Sequence, residues 1–378
     1  MTTYRIEKTA PLLARNGERL NKRTLIVGLI VLIALVALVV WGRGRIHFDF
    51  GVFRSQLALA DWRKIGIAIG CIYLGYIFRS ARWALLVRHH KKISPLTLLG
   101  TQVIGFTAVA LIGRVADPVR PYLVAKKTDL PLSSQIAVYV VERMFDLGSM
   151  ALIFSLVLLT THEALPHPEL LLKVAKGGLL ATVALAAFTI SVRLAGGAVA
   201  AFMEKSLGIF SNKLGSAVGE KIRTFRVGLD TMRSFADFGG AALLSLGMWI
   251  VITLAYLETT RAFVASPQLA AMTLPKCMVL MASSMVASGF QLPILGWFTQ
   301  IGLIAAAMSS FFSVAPEPAT ACSATLLLVT FLSIIPVGLI WAQFEHVSLR
   351  KITAESEHAG EAIEAQHTDL PAREASDV

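Results

Sequence analysis

The chain has 378 residues, 55% of them hydrophobic and 16% charged, with mean hydropathy +0.67 and a formal net charge of +11. So apolar a composition excludes a soluble globular domain and a disordered chain. The basic excess does not imply a nucleic-acid partner, because basic loops beside apolar spans orient a membrane protein and attract anionic lipid.

Residues 1–23 are polar and carry six basic residues, and "TLIVGLIVLIALVALVVW" (24–41) follows without a charge. That run is longer than a typical signal-peptide core and lacks a small-residue cleavage site, so it reads as a retained anchor. Residues 42–64 mix polar and apolar positions and are expected at the membrane interface. A second span is expected at about 65–87, with Gly66 and Gly70 at the GxxxG spacing that permits close helix approach. Near its end stand Arg79 and Arg82, one helical turn apart. Snorkelling to the headgroups accounts for Arg82, whereas Arg79 is expected to need an acidic partner.

After the basic "RHHKK" (88–92) comes the apolar stretch 96–113, and then "GRVADPVRPYLVAKK" (113–127) with four basic residues, an aspartate and two prolines. Spans are expected at 135–160 and 170–192. Residues 193–238 alternate charge with Phe, Leu, Ile and Val at helical spacing and read as amphipathic helices on the cytoplasmic surface. A span at 239–260 precedes the apolar stretch 274–312, which Gly289, Pro293 and Gly296 interrupt. A last span at 319–341 leads into the tail 342–378, whose eight acids against three basic residues fit a segment without fixed tertiary structure.

Lys and Arg number three in 88–92, four in 114–134, none in 161–169 and seven in 193–238. The basic connections belong in the cytoplasm and the uncharged one outside. Because 88–92 and 114–134 then share a side, 96–113 is expected to dip in and return. The interrupted stretch around Gln291, Pro293 and Gly296 suggests a second broken hairpin, since irregular backbone at membrane depth survives only against protein or a water-filled cavity. Two such hairpins from opposite faces would form an inverted repeat. One feature disagrees: 42–64 carries five basic residues and yet falls outside in this scheme.

Charges inside an expected span mark the candidate sites. Glu142, Arg143 and Asp146 fall on one helical face at bilayer depth, where ionisable groups must point inward and pair. They form either a packing ion pair or a functional polar cluster, with Arg79 and Arg82 as further members. Arg114 and Arg120 offer planar guanidiniums on a proline-stiffened elbow, with Asp117 placed to orient them without neutralising both, a geometry suited to a lipid phosphate. Cys71, Cys277 and Cys322 stand alone, and His162 and His167 read as loop residues, so neither a metal site nor a cofactor is expected. No Walker-type loop is present for nucleotide-driven pumping.

The segment "GRVADPVRPYLVAKKTDLPLSSQIAVYVVERMFDLGSM", with the earlier "RSARWALLV" and the later "LPILG", resembles the lysylphosphatidylglycerol synthase transmembrane, or flippase-like, family. The resemblance runs over about 24–341. Two positions depart from the family pattern: Ala116–Asp117 stands where members often carry Gly-Glu, and Pro293–Ile294–Leu295 where many carry Pro-Gly-Gly. The aminoacyl-transferase domain of bifunctional members is not part of the resemblance. It implies a multi-pass protein of the bacterial cytoplasmic membrane that moves a phospholipid or lipid-linked phosphate between leaflets.

The expectation is therefore an all-α integral membrane bundle of about six full spans plus two re-entrant or broken hairpins. Its regions are a basic cytoplasmic terminus (1–23), a transmembrane domain (24–341) and an acidic tail (342–378), with both termini cytoplasmic. A membrane-lipid substrate is expected, with an envelope-lipid enzyme or a second copy as further partners. Two alternatives stay open: a membrane-embedded transferase acting on a lipid phosphate, and a non-catalytic partner of an envelope-lipid enzyme.

Overall fold

A computed structural model describes residues 48–113, 116–163, 165, 167–209, 211–229, 234–288, 295–348, 352 and 355. The anchor read at 24–41, Arg114, Gln291 and Pro293 lie outside the described residues, as does most of the tail. The chain divides into two compact units, Met1–Phe50 and Gly51–Val378. Of the first, only Phe48, Asp49 and Phe50 are described.

Among the described residues every regular element is helical. In chain order these are α1 (Phe50–Ala58), α2 (Trp62–Val87), α3 (Pro95–Ile112), α4 (Val119–Thr128), α5 (Leu132–Thr160), α6 (Pro168–Gly208), α7 (Asn212–Leu229), α8 (Phe235–Arg261), α9 (Pro267–Ala270), α10 (Leu274–Ser288), α11 (Leu295–Phe312), α12 (Pro316–Leu327) and α13 (Ile334–Phe344). Among the described residues, six helical stretches are long and apolar enough to cross a membrane: α2, α3, α5, α6, α8 and the last, Pro316–Phe344, which joins α12 to α13. The shorter apolar pieces Leu274–Met285 and Gly296–Phe312 fall in α10 and α11. The chain is a multi-span helical membrane protein.

Local chemistry sets the helix starts. Asp61 caps α2 by accepting from the Arg63 N–H at 3.0 Å, and Ser234 and Asp237 form a reciprocal capping box at the start of α8. Proline occupies the first turn of α3, α6, α9 and α12, where its missing N–H costs nothing. The last span is irregular where Pro336 cannot donate to the carbonyl one turn back. A π-helical turn, Leu328–Leu332, precedes that point, and the Ser333 and Ile334 carbonyls accept from Tyr73 Oη (3.0 Å) and Thr107 Oγ1 (3.3 Å).

Contacts between connections identify the two ends of the bundle. At the 88–92 end, Lys91 Nζ donates to the Thr128 carbonyl (2.8 Å), His89 Nε2 meets Asp237 Oδ2 (2.9 Å) and Lys127 pairs with Glu345 (2.5 Å). At the opposite end, the Asp61 N–H donates to the Ala262 carbonyl (2.8 Å), while Glu163 pairs with Lys276 (2.8 Å) and accepts from Thr273 Oγ1 (2.5 Å). Burial alone would raise the Glu163 carboxyl, but the hydrogen bonds from Lys276 and Thr273 outweigh it and hold the group below the usual carboxylate range.

These contacts make α3 and α4 a helical hairpin that enters from the 88–92 end and returns to it. The sequence reading placed both the descent and the return in 96–113. Instead α3 is uninterrupted and is the descending leg, while α4, read from sequence as loop, is the returning leg. Gly113, at φ 94°, ends α3 in a conformation open to glycine, and the chain then turns into α4. Helices α10 and α11 form a second hairpin from the opposite end, with Lys276 at its entry and Phe311 packed beside His167 at its exit. The two hairpins meet deep in the bundle, where Trp297 Nε1 donates to the Ala110 carbonyl at 3.2 Å.

The most interior span is α3, with 61% of its apolar window buried, against 11% for α6. Leu172, Leu180, Val183, Ile190 and Leu194 of α6 stay exposed, as a lipid-facing helix requires. Helix α6 runs past the 170–192 span expected from sequence to Gly208, with a kink at Ala195. The amphipathic region 193–238 therefore comprises the end of α6, all of α7 and the first turn of α8.

Candidate functional site

Between the returning leg of the first hairpin and the middle of the bundle lies a buried ionic cluster. Helix α5 supplies Glu142, Arg143 and Asp146, the last about 20 Å from the helix start at 1.5 Å per residue. Helix α2 contributes Arg79 and Arg82, α4 contributes Arg120, and α3 contributes Gln102. Gly105 makes the approach of α4 possible: a Cβ there would collide with Arg120 Cγ and crowd the Arg120 backbone.

Arg82 is 1% exposed and bridges the two acids, with Nη2 to Glu142 Oε1 at 2.6 Å and Nη1 to Asp146 Oδ1 at 2.7 Å. Its Nη1 also donates to Ser245 Oγ of α8 at 2.6 Å. Arg120 is fully buried; its Nη2 donates to both Glu142 oxygens (2.9 and 2.8 Å) and to Gln102 Oε1 (2.8 Å). Arg143 Nη2 approaches Asp146 Oδ2 at 3.0 Å, and Arg79 Nη1 stands 3.6 Å from that same oxygen and 3.9 Å from Glu142 Oε1. Aromatic rings carry what the carboxylates do not: Arg79 and Arg120 lie over Phe106 (4.8 and 4.4 Å to the centroid), and Arg143 over Tyr139 at 5.1 Å.

Charge does not balance. Four guanidiniums, Arg79, Arg82, Arg120 and Arg143, face two carboxylates, a surplus of two positive charges. Asp117 lies within electrostatic range of Arg143 and lowers the surplus among the described residues to one. Guanidinium nitrogens are left over as well: Arg82 Nε, Arg120 Nη1 and Arg143 Nε have no hydrogen bond, and Arg79 Nη1 and Arg143 Nη2 meet the carboxylates as ion pairs without a hydrogen bond. Unpaired buried donors of this kind are costly unless something occupies them. The opening is on the Arg143 side, whose side chain is 37% exposed, against 12% for Arg79.

The residues singled out from sequence are distributed as follows. Arg79, Arg82, Arg120, Glu142, Arg143 and Asp146 come together, and Asp117 stands at the edge. Arg82 does not snorkel; it is the deepest bridge between the two acids. Arg120 sits on a helix rather than a loop, joined to Glu142. Gly296 of the second broken segment is buried in α11, next to the Trp297 that contacts the first hairpin. Sequence reading missed Gln102, Ser245, Phe106 and Tyr139. Gln102 carried a usable signal, a carboxamide in an otherwise apolar or hydroxyl-bearing helix. No group of three or more potential metal ligands occurs among the described residues.

A family model described as "lysylphosphatidylglycerol synthase TM region" matches residues 25–340. Neither a curated protein nor a solved structure matches the chain.

Proposed function

Since the chain belongs to the lysylphosphatidylglycerol synthase transmembrane family over residues 25–340, we propose that it is a translocase that carries a phospholipid or lipid-linked phosphate between leaflets. The observation that supports this reading is the surplus of guanidinium charge with unpartnered N–H groups beside the first hairpin. A phosphodiester carries one negative charge and acceptor oxygens that match guanidinium donors. It would neutralise the surplus left after Asp117 and occupy the free donors of Arg120 and Arg143. The acyl or prenyl chains would stay in the bilayer.

Roles divide within the cluster. Arg82, bound through Nη1 and Nη2 to Glu142, Asp146 and Ser245, holds α2, α5 and α8 together. Arg120 ties the returning leg to α5 and keeps one nitrogen free. Arg143, on the open side, is the group an incoming phosphate meets first, with Arg79 deeper. Arg114 joins this assignment from sequence alone.

The test is transport of a tail-labelled anionic phospholipid by the purified protein in proteoliposomes, with a phosphate-free diacylglycerol as control. Arg143→Gln should cut phospholipid transport about tenfold, the loss of roughly one charge-assisted hydrogen bond, and leave the protein folded. Equal transport by variant and wild type would remove the cluster from the mechanism. The 88–92 end is proposed to be cytoplasmic, from the basic residues gathered there. Cysteines at Asp129 and Val264, placed in a chain lacking its three native cysteines, should then be labelled from the inside and the outside respectively; labelling from the same side would refute that orientation.

A further inference from the structure

Helix α6 is too long for a single crossing. Its 41 residues measure about 61 Å at 1.5 Å per residue, about twice the hydrocarbon thickness of a bilayer, and a tilt of about 40° shortens that reach only to about 47 Å. Lys176 is the last charge before an apolar run that reaches Arg193, and roughly 20 residues counted from Lys176 bring the chain to Gly196. The kink at Ala195 falls at that level. Because α6 starts beside Glu163, at the end opposite 88–92, residues 196–208 extend past the hydrocarbon at the 88–92 end.

The exposed apolar surface does not stop at the kink. Within the span, Leu180, Val183, Ile190 and Leu194 stay exposed to lipid; beyond it, Phe202 is 69% exposed and Ile209, which caps the helix, 81%. Phe202, Lys205 and Ile209 share an arc of roughly 60° at about 100° per residue, and all three are exposed. The opposite side of the same segment is covered by α7. There Ile222 and Phe225 are buried in one cluster with Val192 and Ala200, Phe225 stacks on Phe188 at 6.1 Å, and Gly196 leaves room for the Arg226 side chain. Arg223 of α7 pairs with Glu204 of α6 at 2.5 Å. The apolar face of α7 is thus buried in its own chain, and the uncovered apolar face of this arm belongs to α6.

Geometry and charge select what covers that face. A helix that bends outward on leaving the bilayer turns its lipid-facing side toward the headgroups. Residues 193–226 carry six basic and two acidic residues, so two copies meeting through the same face would repel, whereas an anionic leaflet would attract it. We propose that the arm 196–226 lies on the membrane surface at the 88–92 end, with Phe202 and Ile209 set into the headgroup and acyl boundary and Lys205 on the phosphate of an anionic lipid. The partner is the leaflet itself, and the inference does not depend on the transport reading.

The test places the photocrosslinking residue benzoylphenylalanine at Phe202, Ile209, Leu180 or Glu220, one at a time, in the full chain. Each protein is reconstituted in vesicles of equal phosphatidylglycerol and phosphatidylcholine, with either lipid chain-labelled. Phe202 and Ile209 should capture lipid at a yield close to that of Leu180 in the span, and Glu220, exposed on α7, should capture far less. At Phe202 phosphatidylglycerol should be favoured about fivefold, the effect of roughly one basic residue at an anionic surface. Lys205→Gln should remove that preference and leave capture at Leu180 unchanged. Lipid capture at Phe202 and Ile209 as low as at Glu220 would show the arm standing in water and overturn the proposal, as would capture of a second copy in place of lipid. Equal capture of the two lipids at Phe202, indifferent to Lys205→Gln, would overturn the anionic contact.

Discussion

The two hairpins share a form and differ in chemistry. The first, α3–α4, is secured by charge: Arg120 on its returning leg binds Glu142, and Gln102 on its descending leg accepts from the same guanidinium. The second, α10–α11, is held among the described residues by the neutral Tyr256–Ser284–Gln300 contacts and by one clasp at its mouth, Glu163 with Lys276 and Thr273. Ion pairs in a low-dielectric interior are geometrically demanding, and breaking one strands a buried charge. Neutral hydroxyl and amide contacts are worth about 1 kcal/mol each and exchange partners readily. On the proposed phosphate reading, the first hairpin is the charged wall that would hold the phosphate, and the second is the more weakly tied of the two.

The largest expected effect comes from removing the deepest bridge. Arg82→Met leaves Glu142 and Asp146 without their shortest partner and should destabilise the protein by about 3–5 kcal/mol, measured by thermal unfolding in detergent. A melting temperature equal to wild type would show that the remaining arginines suffice and would erase the contrast between the hairpins. Gly105→Ala should follow, because its Cβ would collide with Arg120. An overpacked core of this kind costs about 1–3 kcal/mol, and the same substitution at Gly302 of α11, where nothing lies within 4 Å of a Cβ, should cost far less. Similar melting temperatures for the two alanine variants would deny the first hairpin its tighter seat.

The smallest effect concerns the clasp of the second hairpin. Glu163 is held below the ordinary carboxylate range by Lys276 and Thr273, against the contrary pull of burial. Its contribution is therefore present above the unfolded carboxylate pKa and lost as pH falls through the lower folded value. Wild type should lose stability on acidification in that window, and Glu163→Gln should lack that component. Parallel pH profiles for the two proteins would show that the clasp does not stabilise the second hairpin's mouth.

Much of the architecture was legible in the sequence because hydrophobic runs report directly on spans and basic connections on which of them share an end of the bundle. The pairing of 88–92 with the basic connection after 113 required a hairpin, and α3 with α4 is one. What periodicity did not show is that "VRPYLVAKK" is a buried helix: its two lysines and its proline read as surface, while Gly105 on another helix makes the room for it. The cluster's members were visible as charges in apolar surroundings, but their partners were not. Arg82 sits near a span end, where snorkelling is the cheaper expectation, and only the proximity of α2 to α5 draws it inward. Ser245 carries no mark that separates it from the other hydroxyls of α8, because its role depends on where Arg82 reaches.

The central claim is that the surplus guanidiniums beside the first hairpin bind the phosphate of a lipid. Its most direct test is the affinity of a short-chain phosphatidylglycerol and of the matching phosphate-free diacylglycerol for wild type, Arg143→Lys and Arg143→Gln, each verified as folded. The account predicts that wild type prefers the phospholipid, that Arg143→Lys keeps the charge but binds it more weakly for want of the planar fork, and that Arg143→Gln loses about tenfold while diacylglycerol binding stays the same in all three. Equal affinity of wild type for the two lipids, or a phospholipid affinity indifferent to Arg143, would contradict it.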